Sequence, residues 1–275
     1  MIVVQLKGGT GNQMFQYACG RALAHRTQSE LQFDLSFLES KEHDELHVRR
    51  EFSLDIFGIT GPIYEGNIHR DLTWISEQKF TYDPEILPNH GNVLLDGYWQ
   101  SEKYFAAIAE HIWKQFSVRD LSRLNPKLVR TFRDPSSICV NVRRGDFVNN
   151  ERSRRFHGVL GSDYMEQGVE FLAESVKNPK IFVFSDDVDW CREELRFPYP
   201  TEVIGHEHAG PKFRDYLHYM SLFNSYVIPN SSFAWWAVWL SSFGRRDCRV
   251  VAPKRWFLDE SYCFDDLIPP TWHRI

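Results

Sequence analysis

The chain has 275 residues, of which 43% are hydrophobic, 25% charged and 15% aromatic. This composition supports a sizeable folded core and excludes disordered, collagen-like and low-complexity proteins. The formal net charge of −5 argues against a generally basic nucleic-acid-binding protein. The five cysteines are widely spaced, without a Cys-X-X-Cys pair, so we expect neither a disulfide framework nor a zinc ribbon. Neither a signal h-region nor an apolar run of ~20 residues occurs, so we expect no transmembrane segment and a cytoplasmic location.

The first half predicts the opening of a Rossmann-like layer. A strand at Ile2 to Leu6 leads through a glycine-rich turn to a helix carrying apolar residues from Met14 to Leu23. A second strand follows at Leu31 to Asp34, and a third at Val93 to Leu95 precedes helical periodicity from Phe105 to Phe116.

The second half alternates strands and helices more clearly. Strands are predicted at Ile138 to Val142, Ile181 to Phe184, Tyr226 to Ile228 and Arg249 to Ala252. Helices are predicted at Tyr164 to Ser175, Asp187 to Leu195, Phe213 to Phe223 and Phe233 to Phe243. Helical crossovers imply parallel pairing. With a break between Val118 and Ser136, we expect an α/β protein of two Rossmann-like domains, 1–125 and 126–275, facing a cleft.

In such sheets, ligands bind at the turns that follow the strands. The first turn carries Gly9 and Gly11 in a Gly-X-Gly pattern, with Asp34 placed as a ribose-binding acid would be. Met14 replaces the third glycine of a dinucleotide-binding motif, which weakens that hypothesis. A tight turn, or a ligand approaching backbone amides beside Asn12, remains as an alternative.

The second turn follows the strand that ends at Val142. Arg143 and Arg144 should point to opposite sides of the strand. One of them can meet phosphate oxygens while the other pairs, for example with Asp146. A purely structural arginine–aspartate pair is the alternative interpretation.

Two further turns carry polar side chains. Asp186 follows the strand Ile181 to Phe184 directly. Asp187 and Asp189 suit capping of the next helix, but they also match the Asp-X-Asp pattern of metal-dependent glycosyltransferases. Ser231 and Ser232 precede a helix, where they form either a phosphate site or an ordinary N-cap. Together, these turns describe a nucleotide-diphosphate pocket without an obligatory metal.

Several longer motifs, in order along the chain, resemble one family. They are Lys7 to Ala18, Gly97 to Phe105, Val142 to Phe147, Phe156 to Val159, Phe184 to Asp187 and Asn230 to Trp236. In this order they strongly resemble the motifs of bacterial alpha-1,2-fucosyltransferases. The resemblance extends from Ile2 to about Trp256.

The resemblance implies a GT-B-like enzyme that moves L-fucose from GDP-beta-L-fucose with inversion, to O2 of a beta-galactoside glycan, without metal or other cofactor. It implies a catalytic role for Arg143, which would hold the beta-phosphate, and for Asn12 beside the sugar and diphosphate. Asp186 would bind guanine, and Asn141 stands where the family often has histidine. The donor site implied in full comprises Gly9, Gly11, Asn12, Asn141, Arg143, Asp186, Ser231, Ser232 and Phe233.

The acceptor side and the general base stay open at this point. Trp99, Gln100 and His157 are acceptor-side candidates. The candidates for the base are Asp34, Asp146, Glu151 and His157. The resemblance places the acceptor on the first domain and GDP-fucose on the second. A metal-dependent transferase using Asp187 and Asp189, and a non-catalytic nucleotide- or glycan-binding protein, remain as alternatives.

Overall fold

The computed structural model describes residues 1–40, 50–88, 91–118, 120–244, 247–259 and 261–275. The chain divides into two compact units. The first comprises Met1–Phe116 and Glu260–Ile268, and the second comprises Ser117–Asp259 and Pro269–Ile275. The main boundary therefore falls earlier than the expected one at 125/126, and a late segment returns to the first unit.

The first unit contains a parallel four-stranded sheet in the order β2-β1-β4-β3. Its strands are β1 (Ile2–Gln5), β2 (Leu31–Asp34), β3 (Thr73–Ser76) and β4 (Val93–Asp96). Its helices are α1 (Thr10–Thr27), α2 (Ser36–Glu39), α3 (Ile68–Asp71) and α4 (Ala109–Phe116), the last preceded by a 3-10 helix at Glu102–Ile108.

The second unit contains a parallel six-stranded sheet in the order β10-β9-β8-β5-β6-β7. Its strands are β5 (Ser137–Val142), β6 (Lys180–Ser185), β7 (Thr201–Val203), β8 (Ser225–Val227), β9 (Arg249–Ala252) and β10 (His273–Arg274). Its helices are α5 (Pro126–Phe132), α6 (Gly145–Asn149), α7 (Glu151–His157), α8 (Ser162–Ala173), α9 (Val188–Glu194), α10 (Arg214–Met220) and α11 (Ser232–Ser242). Read from β7, this is the 3-2-1-4-5-6 order of the Rossmann fold.

The predicted α/β class, with a Rossmann-like parallel sheet in each half, is confirmed. All seven predicted strands form, because their apolar runs are buried on both faces of a sheet. Strands β3, β7 and β10 were not predicted. Strand β7 has three residues and β10 has two, which is too short for an alternation of apolar and polar residues to be visible.

The predicted break contains helix α5. The Asn125-Pro126 pair begins this helix. The Asn125 side chain accepts the Lys127 backbone N–H at 2.9 Å, and Pro126 lies in the first turn, where it needs no N–H partner. Phe132 at the helix end is fully buried and lies 4.8 Å from the Phe223 ring, so the helix is part of the core of the second unit.

Within the described residues, no helix is both long and apolar enough to span a membrane.

Candidate active site

Each sheet has one point where the strand order reverses, and ligands of such folds bind there, beyond the carboxyl ends of the strands. In the second unit this point lies between β5 and β8, and in the first unit between β1 and β4. The turns after β5 and β8 carry Arg143 and Ser231. The turns after β1 and β4 carry Asn12 and Gln100. Three of these four turns, those after β1, β5 and β8, are turns that the sequence also indicates as candidate ligand sites.

After β5, the Arg143 guanidinium lies between two carboxylates. Its Nη2 donates to Asp146 Oδ1, and its Nη1 lies 2.7 Å from Asp186 Oδ2 at the end of the adjacent β6. The Arg143 side chain keeps about a quarter of its surface exposed, at 27%. Because a guanidinium carries five N–H donors in a planar fork, the two carboxylates leave donors that can meet a phosphate.

Two further residues of the Arg-Arg-Gly-Asp run, Arg144 and Gly145, help to position Asp186. The Arg144 backbone N–H donates to Asp186 Oδ1 at 2.9 Å. The Arg144 side chain turns away, with its guanidinium 3.9 Å above the Trp190 ring. A side chain at Gly145 would bring its Cβ to 2.5 Å from Asp186 Oδ2. The predicted divergence of the two arginines is therefore present, and Gly145 is the residue that leaves room for Asp186.

Beside Asp186 lies a depression of about 290 Å³. It is lined by Asp186, Asp187, Arg192, Gly205, His206 and Glu207, among others. Its volume is at the lower end of the range for pockets that enclose a small molecule, which suits one ring system rather than a whole sugar nucleotide. Both Asp186 oxygens already contact Arg143 or Arg144, so guanine recognition by this carboxylate requires it to share those contacts.

After β8, Ser231 occupies the N-cap position of α11. Its side chain makes no capping hydrogen bond. Ordinary N-capping therefore does not account for the Ser231 hydroxyl, which can serve a ligand. Ser232 and Phe233 form the start of the helix and are both partly exposed. The following tryptophans, Trp235 and Trp236, are fully buried. An eleven-residue helix that begins here directs backbone N–H groups and a positive dipole end toward an anion.

His157, at the end of α7, stacks on Phe147 at 4.5 Å with the ring planes 7° apart. Burial lowers the pKa of His157 to about 4, Asp146 partly opposing and Arg143 reinforcing this effect. Its Nδ1 is buried and has no hydrogen-bond partner among the described residues. The imidazole is thus neutral at neutral pH.

The other predicted residues of the second unit lie as follows. Asn141 is buried, and its Nδ2 donates a hydrogen bond to the Phe184 carbonyl at 3.0 Å. The Asn141 amide nitrogen therefore links β5 to β6. Glu151 is exposed and pairs with Arg155 one helical turn away. Of the base candidates in this unit, Asp146 contacts Arg143, and His157 stacks on Phe147, whose ring centroid lies 5.7 Å from the Arg143 guanidinium. Glu151 lies on a solvated helix face.

In the first unit, the glycine turn after β1 requires glycine at position 8. Gly8 has a φ of +76°, and a Cβ there would overlap the Asn12 amide nitrogen. Gly9 has an ordinary φ of −78°, and among the described residues the nearest neighbour of a Cβ there would be Arg50 Nε at 4.0 Å. The described contacts therefore leave room for a ligand to approach the backbone at Gly9.

Asn12 and Gln100 meet at the switch point of this sheet. Gln100 Nε2 donates to Asn12 Oδ1 at 2.8 Å, which joins the turns after β1 and β4. Trp99, by contrast, has no exposed surface and packs edge-on against Tyr104. Trp99 therefore belongs to the core and offers no face to a sugar. Asp34 is also buried, and its carboxylate accepts from Gln5 and Ser36.

Residues 1–275 match the model of Glycosyl transferase family 11. The chain belongs to this family. An alpha-1,2-colitosyltransferase of Escherichia coli is 30% identical over 100% of this chain and 99% of its own length. A galactoside alpha-(1,2)-fucosyltransferase 1 of Gorilla gorilla gorilla is 25% identical over 96% of this chain and 75% of its own. The structure of the fucosyltransferase NodZ from Bradyrhizobium is 14% identical in sequence to this chain. The match covers 86% of this chain and 91% of the NodZ chain, with a TM-score of 0.44.

As a family 11 glycosyl transferase, the chain catalyses glycosyl transfer, and the dinucleotide-binding hypothesis for Gly9, Gly11 and Asp34 is set aside. The Asp-X-Asp pair has other roles. Asp187 caps α9 through the Trp190 N–H at 3.2 Å and contacts Arg144. The Asp189 side chain is 88% exposed and lies beside Arg192. In the described ranges, no group of three or more His, Cys, Asp or Glu side chains is arranged to hold a metal ion.

Two buried glutamines that fix turns of the first unit were not predicted from the sequence to have this role. Gln13 bridges the Gly8 and Glu51 carbonyls and accepts from the Ser53 N–H. Gln16 accepts the Lys7 N–H and donates to the Gly97 carbonyl. The available signal was two glutamines within an otherwise apolar stretch, because buried amides need partners and here they find them in turn backbones.

Proposed function

We propose that this glycosyl transferase moves L-fucose from GDP-beta-L-fucose to a hydroxyl of a beta-galactoside, forming an alpha-1,2 linkage with inversion. The observation that carries the proposal is the position of Arg143, which follows β5 at the switch point of the second sheet and is held by Asp186 from the end of the adjacent β6. Ligands of folds with this strand order bind at that edge, so a fixed cation there supports a diphosphate donor. The names of the relatives support the linkage and the acceptor class.

In this proposal the second unit binds the donor. As the bond between fucose and GDP breaks, negative charge grows on the diphosphate. The remaining Arg143 donors, the Ser231 hydroxyl and the start of α11 stabilise that charge. The transition state resembles an oxocarbenium ion by analogy with glycoside cleavage, so interactions that strengthen as GDP leaves contribute most to the rate. The site then needs no metal ion to stabilise the leaving group.

The first unit binds the acceptor in this proposal. The acceptor hydroxyl attacks the face of the sugar opposite GDP and loses its proton to a general base. Among the four residues predicted for that role, Asp146, which contacts Arg143, and His157, which stacks on Phe147, stay our preferred pair. Asp34 is engaged by Gln5 and Ser36, and Glu151 by Arg155.

Colitose is a second candidate for the transferred sugar, because the colitosyltransferase relative spans the whole chain. Colitose lacks one hydroxyl of L-fucose, that at C3. A site that hydrogen-bonds this hydroxyl rejects the sugar without it strongly, whereas an apolar site discriminates weakly.

The test is to incubate the enzyme with GDP-fucose or GDP-colitose and a panel of beta-galactosides, and to determine the product linkage by NMR. We expect an alpha-1,2-fucosylated product. Product from GDP-colitose alone would move the proposal to that sugar. The absence of transfer or hydrolysis with both donors would refute it.

A further inference from the structure

Three aromatic side chains form a partly exposed cluster at the carboxyl edge of the first sheet. Phe80 follows β3 and Tyr98 follows β4, and their rings stack at 6.2 Å with planes 22° apart. Tyr262 joins from the segment Glu260–Ile268, with its ring edge-on to Phe80 at 5.5 Å and 37% of its surface exposed. We name these three residues the aromatic platform.

Polar groups border the aromatic platform on one side. Lys7 follows β1 and pairs with Asp96 at the end of β4. Its ammonium nitrogen lies 5.4 Å from the centroid of the Tyr98 ring. Asp96 also accepts from the Ser76 hydroxyl at 3.3 Å. An apolar ring surface thus lies beside one cation, one carboxylate and one hydroxyl, all at the ends of adjacent strands.

Hydrogen bonds to a buried carboxylate hold the turn that carries Tyr98 in place. The Glu77 carboxylate accepts the backbone N–H groups of Tyr98 at 2.7 Å and Trp99 at 3.0 Å. It thereby secures Trp99 at a φ of +54°, a conformation that costs free energy in a non-glycine residue. A Cβ at Gly97 would lie 2.5 Å from the Glu77 side chain. Burial raises the pKa of Glu77, whose two oxygens are used by these two N–H groups.

The segment that carries Tyr262 is anchored as well. Asp266 accepts the Tyr82 backbone N–H at 2.7 Å and pairs with Lys103. Both sides of the aromatic platform are therefore tied to the first unit, and an incoming ligand meets a preorganised surface.

We infer that the aromatic platform binds the apolar face of a pyranose ring of the acceptor glycan, with Lys7 and Asp96 meeting its hydroxyl edge. The inference rests on the proposed function, which gives the first unit a galactoside. A galactose ring presents a patch of C–H groups on one face and hydroxyls around its rim. Aromatic rings with a few fixed polar groups match both surfaces, whereas a nucleotide diphosphate would meet the Asp96 carboxylate unfavourably.

Saturation-transfer NMR with methyl beta-D-galactopyranoside tests the inference without turnover. We expect saturation of the ring C–H protons by the wild-type protein, and loss of it in Phe80→Ala and Tyr262→Ala. In transfer assays, the acceptor KM should rise about tenfold in each variant. The rate of GDP-fucose hydrolysis and the Kd for GDP should stay at wild-type values.

Trp74→Ala is the matched control, because Trp74 is an aromatic residue on β3 of the same unit with 40% of its surface exposed. Thermal melts of all three variants verify folding. Unchanged saturation and unchanged acceptor KM in Phe80→Ala and Tyr262→Ala would overturn the inference while the proposed function stands. A wild-type protein that binds the galactoside through these residues but uses neither donor would leave the aromatic platform in place and refute the proposed function.

Discussion

Arg143 and Asp186 lie at the ends of two adjacent parallel strands, with Arg143 Nη1 2.7 Å from Asp186 Oδ2. This contact makes the orientation of the guanidinium depend on β6 as well as on its own turn. A cation fixed from two strands needs little reorganisation when charge develops on a leaving group, which is the condition for efficient electrostatic stabilisation.

Replacing Arg143 tests that role directly. Arg143→Lys keeps the charge but loses the planar fork, so we expect kcat to fall about a hundredfold or more. Arg155→Lys is the matched control, since its side chain is 78% exposed and pairs only with Glu151 on the same helix among the described contacts. Near-wild-type turnover in folded Arg143→Lys and Arg143→Ala would refute the assignment.

Asp186→Asn distinguishes two roles of one carboxylate. Guanine presents an N1–H and an exocyclic amine side by side, and a carboxylate accepts from both, whereas uracil and adenine lack that pair. If Asp186 binds guanine, the variant should lose the preference for GDP over UDP and ADP. If it mainly positions Arg143, affinity for all three should fall together.

Calorimetric titration of GDP, UDP, ADP and inorganic pyrophosphate decides between these outcomes. We expect wild-type protein to prefer GDP, and Asp186→Asn to reduce that preference. Pyrophosphate binding that weakens as much as GDP binding would instead assign Asp186 to the positioning of Arg143. Unchanged selectivity together with unchanged pyrophosphate binding would contradict both roles.

We expect alanine substitutions at two neighbouring glycines to affect stability in different ways. Gly8→Ala should destabilise the protein, because φ is +76° and a Cβ overlaps Asn12. Gly9→Ala should leave the denaturant midpoint near wild type, because the nearest atom of the described residues to its Cβ is 4.0 Å away. If a ligand approaches this backbone, Gly9→Ala should still reduce kcat/KM. Full activity in Gly9→Ala would remove Gly9 from the site.

His157 predicts a pH dependence of stability. Its folded-state pKa of about 4 lies below the ordinary value of 6.5, so between these values the unfolded chain binds the extra proton. The contribution of His157 to the free energy of unfolding is therefore complete above pH 6.5. It is lost as pH falls toward 4, a decrease of about 3 kcal/mol in all. Urea unfolding of His157→Phe should show a smaller loss over this range.

His273→Phe is the control for that experiment, because His273 is exposed and also stacks on a phenylalanine, Phe171. It should follow the wild-type pH profile. Identical profiles for wild type and His157→Phe would mean that the buried imidazole does not titrate as stated.

Metal removal tests the alternative use of Asp187 and Asp189. We expect transfer activity to persist after exhaustive EDTA treatment. Asp187→Ala should cost about 1 kcal/mol of stability because it removes the N-cap of α9, and Asp189→Asn should cost no more than about 0.5 kcal/mol. Activity that disappears with EDTA, returns with Mn²⁺ and is absent in Asp189→Asn would favour the metal-dependent mechanism.

The sequence predicted the turns of the second unit well because strand ends and chemistry coincide there. The buried run before Arg143 marks a central strand, and the Arg-Arg-Gly-Asp residues all serve one cluster. The contact of Arg143 with Asp186 joins residues 43 positions apart, so local pattern could not reveal it. Trp99 was misjudged for a related reason, since its burial depends on Glu77 and Tyr104 from other segments.

The return of Glu260–Ile268 to the first unit has a consequence for biosynthesis. Asp266 makes its contacts with Tyr82 and Lys103 only after the intervening second unit has been translated. The first unit thus leaves the ribosome incomplete, without Tyr262 beside Phe80, and is finished late. Units made early in a chain normally fold first, but here the first unit is completed only at Ile268, and the second unit, which includes Pro269–Ile275, is completed directly after it.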